Sequence, residues 1–334
     1  MFVEFNQILS DLKKRIYHPV YLLSGEEPYF IDQLCDAIEN GILSEDEKGF
    51  NQTILYGRDV EASSIIEYAK RYPMMASHQV VIVKEAQDIK TIDELSAYAE
   101  KPLLSTILVI CYKYKKYDKR KMLAKIVEKK GVFFESVKLR EDKLPAWIAE
   151  QVEAQGYTLS PKAVAMIADN LGNDLSRADN ELKKLYINLP KGTQITEKTV
   201  EANIGISKDY NIFELQKALG ARNIVKANRI INHFSSNPKD NPLVKTIILL
   251  YGYFSKLLIY HSLQDKSNKE VASALSVSPY FVNDYHSAAR NYSFEKLTQI
   301  ISVLREFDLK SKGLDSGSVN EEDLTKELIY KILH

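Results

Sequence analysis

The chain has 334 residues, 45% hydrophobic and 27% charged, which is enough apolar material for two or three cores and excludes disorder as the default state. Lys plus Arg and Asp plus Glu both number 45, so no global field draws the protein to nucleic acid or an anionic membrane, and any DNA contact must be local. Cys35 and Cys111 are the only cysteines; their wide separation, outside any Cys-x-x-Cys spacing, argues against a disulfide framework or structural zinc and fits a reducing, cytoplasmic compartment.

The opening residues Met1–Ile16 read as an amphipathic helix rather than a signal peptide, because Glu4 and Asp11 interrupt them and no apolar core region follows. Short β-type runs then occur at Val20–Ser24, Gln52–Tyr56, Gln79–Lys84, Thr106–Tyr112 and Val132–Ser136. Between them, Ile31, Leu34, Ala37 and Ile38 recur at helical spacing, as do Ile65, Ile66, Ala69 and Tyr72 after an N-cap expected at Asp59. This alternation predicts an α/β domain over residues 1–140, with a parallel sheet covered by helices on both faces. Beyond Arg140 the β signal fades, and amphipathic helices are predicted in succession, broken at Gly156, at Gly172–Asn173, around Pro190–Gly192 and at Asn237–Pro242. A further break near Lys208–Tyr210 divides them into a short all-α segment, residues 141–209, and a longer one, residues 210–334. No stretch approaches the roughly 18 uninterrupted apolar residues of a membrane span.

The first strand runs into Ser24-Gly25-Glu26-Glu27-Pro28-Tyr29-Phe30-Ile31-Asp32, the strand–turn–helix place where a P-loop cradles phosphates on backbone N–H groups. Counting from Gly25, the second glycine of that motif falls at Phe30, the lysine at Ile31 and the Ser/Thr magnesium ligand at Asp32. Glu26 and Glu27 add negative charge where a triphosphate would lie. The third strand likewise leads into Lys84-Glu85, where an ATPase usually carries Asp-Glu to hold Mg²⁺ and orient water. The domain thus has a P-loop ATPase outline without its phosphate-handling residues, and nucleotide is not expected to bind; Gly25 serves as a tight turn and Pro28 as a helix start.

Three segments together resemble the delta subunit of the bacterial DNA polymerase III clamp loader, a family of degenerate ATPase-like proteins. Tyr21-Leu22-Leu23-Ser24-Gly25-Glu26-Glu27-Pro28-Tyr29 looks like the family's opening strand and turn. The run from Tyr72 and Pro73 through Met74, Met75 and His78 to Lys84-Glu85-Ala86 is similar to its clamp-contacting turn and following strand. Leu171-Gly172-Asn173-Asp174-Leu175 with Asn180-Glu181-Leu182-Lys183-Lys184-Leu185 resembles the pattern of its small helical domain, and Phe307-Asp308-Leu309-Lys310-Ser311-Lys312-Gly313 falls in a final helical region.

The resemblance implies a degenerate ATPase-like domain (1–140), a helical lid (141–209) and a helical collar (210–334). It implies a wrench: the subunit binds the ring-shaped beta sliding clamp and favours its open form, while neighbouring gamma/tau-type and delta-prime-type subunits handle ATP. Primer-template DNA is met through the assembled complex, and no cofactor or metal is implied. The family's contact is a pair of bulky apolar residues, typically Leu then Phe; here that pair is Met74 and Met75, on a turn that Pro73 separates from the preceding helix. Without the resemblance, adjacent methionines would be read as core filler beneath the strand.

Lys113, Lys115, Lys116, Lys119 and Arg120 alternate with Tyr114 and Tyr117, a composition that suits phosphate neutralisation and base stacking. A solvated loop leading into a helix over Met122–Lys130 is the preferred reading, because the domain is not otherwise basic. The 6 histidines form no short metal spacing, and no Ser, Cys or Lys stands in a nucleophile motif. The competing readings are a divergent ATPase with unrecognised phosphate contacts and a general DNA-binding or repair factor acting through Lys113–Lys121.

Overall fold

The computed structural model describes residues 2–171, 174–207, 209–314 and 320–334. Its contacts divide the chain into two compact units, Met1–Arg140 and Glu141–His334.

In the first unit five parallel strands, β1 (Val20–Gly25), β2 (Gln52–Tyr56), β3 (Gln79–Lys84), β4 (Thr106–Lys113) and β5 (Val132–Ser136), are arranged in the order β2-β3-β4-β1-β5. The helices are α1 (Phe2–Lys13), α2 (Pro28–Gly41), α3 (Glu45–Asn51), α4 (Ala62–Ala69), α5 (Leu95–Glu100) and α6 (Met122–Lys130). Leu22, Val81, Val83, Leu108 and Ile110 pack with Ile65, Ala69, Leu95, Leu123 and Val127 on one face. Alternate residues Tyr21, Leu23, Val80, Ile82 and Val109 are equally buried and by the two-residue period of a strand point to the other face. Burial on both sides explains why the central strands read as continuous apolar runs.

Helix α4 begins after Glu61, not at an Asp59 cap, and it ends at Ala69, with Tyr72 outside it. Pro73 disfavours the helical region for the residue before it, so the last turn closes with the Lys70 N–H donating to Ile66 O.

The second unit is helical apart from a short parallel pair, β6 (Thr158–Leu159) and β7 (Gln194–Ile195), which the fading β signal did not reveal. Its helices are α7 (Leu144–Ala154), α8 (Pro161–Leu171), α9 (Leu175–Asn188), α10 (Glu197–Ile204), α11 (Ile212–Gly220), α12 (Ile224–Ser236), α13 (Leu243–Ser262), α14 (Asn268–Leu275), α15 (Val282–Asn291), α16 (Phe294–Ser311) and α17 (Glu321–Leu333). Gly172, Asn173 and Lys208, expected at breaks, lie outside the described residues. Among the described residues, α13 is the helix long and apolar enough to cross a membrane by length and composition. Its Leu250, Phe254 and Leu257 pack in the core with Leu297, Ile300 and Leu304 of α16 and Leu328 of α17.

The boundary expected at 209/210 falls inside the second unit. An ion cluster spans that boundary. Glu214 of α11 is buried and accepts from Lys162 Nζ of α8 at 2.7 Å and from Lys226 Nζ of α12. Burial alone would raise the Glu214 carboxyl, but the hydrogen bonds and charges of the two lysines outweigh it, and the group is held below the ordinary glutamate value. A carboxyl depressed in the folded state stabilises the fold above its unfolded pKa, and that contribution is lost as pH falls through the folded value. Glu214→Gln is therefore expected to lower stability by about 2–4 kcal/mol near neutral pH, with the gap to wild type closing below about pH 4; denaturant unfolding across that range measures it.

Candidate functional site: two edges of one sheet

Because all the strands run the same way, the loops after β1, β3 and β4 meet at one edge of the sheet. Strand β1 lies between β4 and β5, while the connection leaving it turns to the far edge at β2. Its carboxyl end is thus the crevice where open α/β sheets place ligands.

The turn there is built by backbone contacts. A Cβ on Gly25 would lie 1.9 Å from Ser136 O of β5, so glycine is required by the neighbouring strand rather than by a phosphate. Glu26 N donates to Ser136 O at 3.0 Å, and Ser136 Oγ donates to Glu27 O at 2.6 Å. Glu27 is buried; its carboxylate accepts from Tyr29 N at 3.1 Å and caps α2, with Pro28 in the first turn. Phe30 and Ile31, at the positions of the motif's glycine and lysine, are buried in the core.

Asp32, at the position of the magnesium-ligating hydroxyl, lies 2.5 Å from Lys113 Nζ, and Glu85 lies 3.3 Å from the same ammonium. Burial pulls the Lys113 ammonium down, but its hydrogen bond to Asp32 and the charges of Asp32 and Glu85 more than reverse this and raise it above the ordinary lysine value. Lys84 pairs with Glu39 of α2 at 2.9 Å. Glu85 itself is left-handed at φ 54, an uncommon state for a residue with a side chain. The crevice is therefore lined by carboxylates, two of which share one internal cation.

Lys113 accordingly is not an exposed loop cation: it is the buried last residue of β4. Lys116 and Lys119 pair with Glu135, Arg120 pairs with Asp118, and Lys115 sits over the Tyr112 ring at 5.6 Å. The loop is pinned from within, since Tyr117 N donates to Ser24 Oγ at 2.6 Å and the Tyr117 hydroxyl bonds to Asp93.

At the amino edge of the sheet, Met74 and Met75 sit on the turn before β3. They are exposed by 62% and 102%, so they are not core filler. Met75 is left-handed at φ 55, a conformation that costs roughly 1–3 kcal/mol and persists only where its surroundings impose it. The preceding residue, Met74, is held by Asn51 at the end of α3, a residue not singled out from the sequence. Its buried amide accepts from Met74 N at 2.6 Å and donates to Met74 O at 2.9 Å and to Glu47 O at 3.0 Å. The Asn at a helix end was visible in the sequence; that it bonds across 23 residues was not. Among the described residues no cluster of three or more His, Cys, Asp or Glu side chains is placed to hold a metal ion.

Comparison with known proteins adds to this geometry. Residues 21–137 match the family model described as DNA polymerase III, delta subunit, and residues 209–332 match that of the DNA polymerase III delta subunit, C-terminal domain. The chain is 25% identical over 338 aligned positions to DNA polymerase III subunit delta of Bacillus subtilis, covering 98% of this chain and 96% of that protein. In structure it is similar to the Bacillus subtilis DNA clamp loader delta protein, with TM-score 0.55, 24% identity, and coverage of 98% and 99% of the two chains.

Asn51→Ala is expected to release the turn: the Met74 amide loses its protection in hydrogen exchange, and global stability falls by about 1–3 kcal/mol. Asn51→Asp should do no better, since a carboxylate keeps the bond from Met74 N–H but faces two carbonyl oxygens with no proton to give.

Proposed function

Since the chain belongs to the DNA polymerase III delta subunit family, we propose that it works as the clamp-loader subunit that binds the ring-shaped sliding clamp and favours its open form during replication. The observation that carries this reading is the exposed Met74–Met75 tip, held in one conformation by the Asn51 amide. An ordered tip loses less conformational freedom on binding than a loose loop. Unbranched thioethers adapt to an apolar pocket, and full burial contributes about 1.5–3 kcal/mol per side chain.

In the proposed arrangement the first unit acts without nucleotide, and ATP is handled by gamma/tau-type neighbours. Polymerase chemistry belongs to other chains of the holoenzyme. Helices 141–209 serve as a lid and helices 210–334 as the collar that joins gamma/tau-type and delta-prime-type subunits. Primer-template DNA is reached through that assembly, in the cytoplasm. The paired carboxylates and internal cation at the β1 crevice support the absence of nucleotide chemistry, because a triphosphate would meet Glu26 and Glu27 with Lys113 already committed to Asp32 and Glu85.

Met74→Asp combined with Met75→Asp is expected to abolish clamp capture in a pull-down, a loss of at least about 100-fold in affinity, with unchanged circular dichroism and unchanged loader assembly. Capture equal to wild type would sink the reading. Equilibrium dialysis of the isolated chain against labelled ATP is expected to show no specific binding; saturable binding would favour the divergent-ATPase reading.

A further inference from the structure

The parallel sheet brings more than the methionine turn to its amino edge. The register pairs Gln52 of β2 with Val80 of β3, and Gln79 of β3 with Thr106 of β4, so the lead-ins to these three strands are neighbours. Strands lie about 4.8 Å apart, and the lead-ins therefore span roughly 10 Å. Each carries a large apolar side chain in solvent. Phe50, two residues before β2, is 76% exposed, and Leu104, two residues before β4, is 79% exposed. Between them lie Met74 and Met75.

Two sets of hydrogen bonds tie the flanks to the centre. Asn51, the neighbour of Phe50, is bonded to both backbone groups of Met74. Gln79 N, at the far end of the methionine turn, donates to Ser105 O at 2.8 Å, next to Leu104. A single exposed apolar residue is ordinary on a protein surface. Three adjacent lead-ins that all present one, on backbone tied by hydrogen bonds, set an apolar row along one end of the sheet, and a grouping of this kind marks an interaction site.

We propose that Phe50 and Leu104 complete the clamp-docking surface, as anchors on either side of the Met74–Met75 tip; this rests on the clamp-binding reading of that tip. The occupant is an apolar cleft of the sliding clamp, continuous with the pocket that takes the methionines. The division of labour follows from the side chains. Methionine adapts its shape but loses several rotors on binding, whereas a phenyl ring contributes a large contact area with few rotors to immobilise, which is why aromatic residues are enriched at interface cores. Phe50 supplies from α3 the aromatic contact that the methionine pair lacks.

The test uses the full chain and the purified sliding clamp in surface plasmon resonance. Phe50→Ala and Leu104→Ala are each expected to weaken the clamp complex about 10-fold, with melting temperatures unchanged because both side chains are exposed. Met122→Ala, an equally apolar and exposed position at the head of α6 on the carboxyl side of the sheet, should bind like wild type. Affinity within twofold of wild type for either Phe50→Ala or Leu104→Ala overturns the proposal, as does an equal loss in Met122→Ala. If the paired Met74 and Met75 aspartates abolish binding while the flanking variants do not weaken it, the flanking anchors fall and the tip reading stands; if all bind normally, both fall.

Discussion

Strands that all run in one direction send every loop that precedes a strand to one edge of the sheet and every loop that follows one to the other. In this protein that constraint separates two jobs. The carboxyl edge carries Gly25, Glu27, Asp32, Glu85 and Lys113, around the turn where a P-loop ATPase would hold nucleotide. The amino edge carries Phe50, Met74, Met75 and Leu104, whose apolar atoms face solvent. The buried strands keep the two edges apart, so the charged crevice at one and the exposed apolar side chains at the other are built from different residues.

The carboxyl edge shows how a crevice lined by carboxylates is made stable. Carboxylates close together in a partly buried place repel one another. Here Lys113 reaches in from the end of β4 and satisfies Asp32 and Glu85 together, while Lys84 answers Glu39. Three elements far apart in sequence are thereby joined by charge. Asp32 stays half-exposed, and the buried Lys113 has two carboxylates beside it, so the arrangement avoids the isolated buried charge that makes such sites unstable.

Much of this was legible in the sequence because it depends on local pattern. Strands buried on both faces announce themselves as apolar runs, and the ends of β2, β3 and β5 follow from where those runs stop. Gly25 and Pro28 have turn and helix-start roles that residue type alone suggests. The rest depends on contacts between distant segments. Nothing near Asn51 indicates that its amide will close on Met74, and nothing near Lys113 shows that it ends a strand rather than opening a basic loop. The pair β6 and β7 is too short for a period to show, each strand having 2 residues. Met75 in the left-handed region is likewise invisible from its type, since methionine has no preference for it.

Binding alone does not open a ring. A ligand shifts a conformational equilibrium only by the difference in its affinity for the two states, and moving a ring from mostly closed to mostly open requires a preference of several kcal/mol. A soft two-methionine contact on a mobile loop would follow the clamp surface through either state and discriminate little. A tip held by two hydrogen bonds from Asn51, flanked by side chains on adjoining strand lead-ins, presents a surface of fixed curvature. In the proposed clamp contact, a backbone that cannot reshape itself to both states lets the surface fit one clamp conformation better than the other. On the proposed reading the Asn51 amide belongs to the wrench as much as the methionine turn it holds, since rigidity at the tip converts contact area into a preference between states.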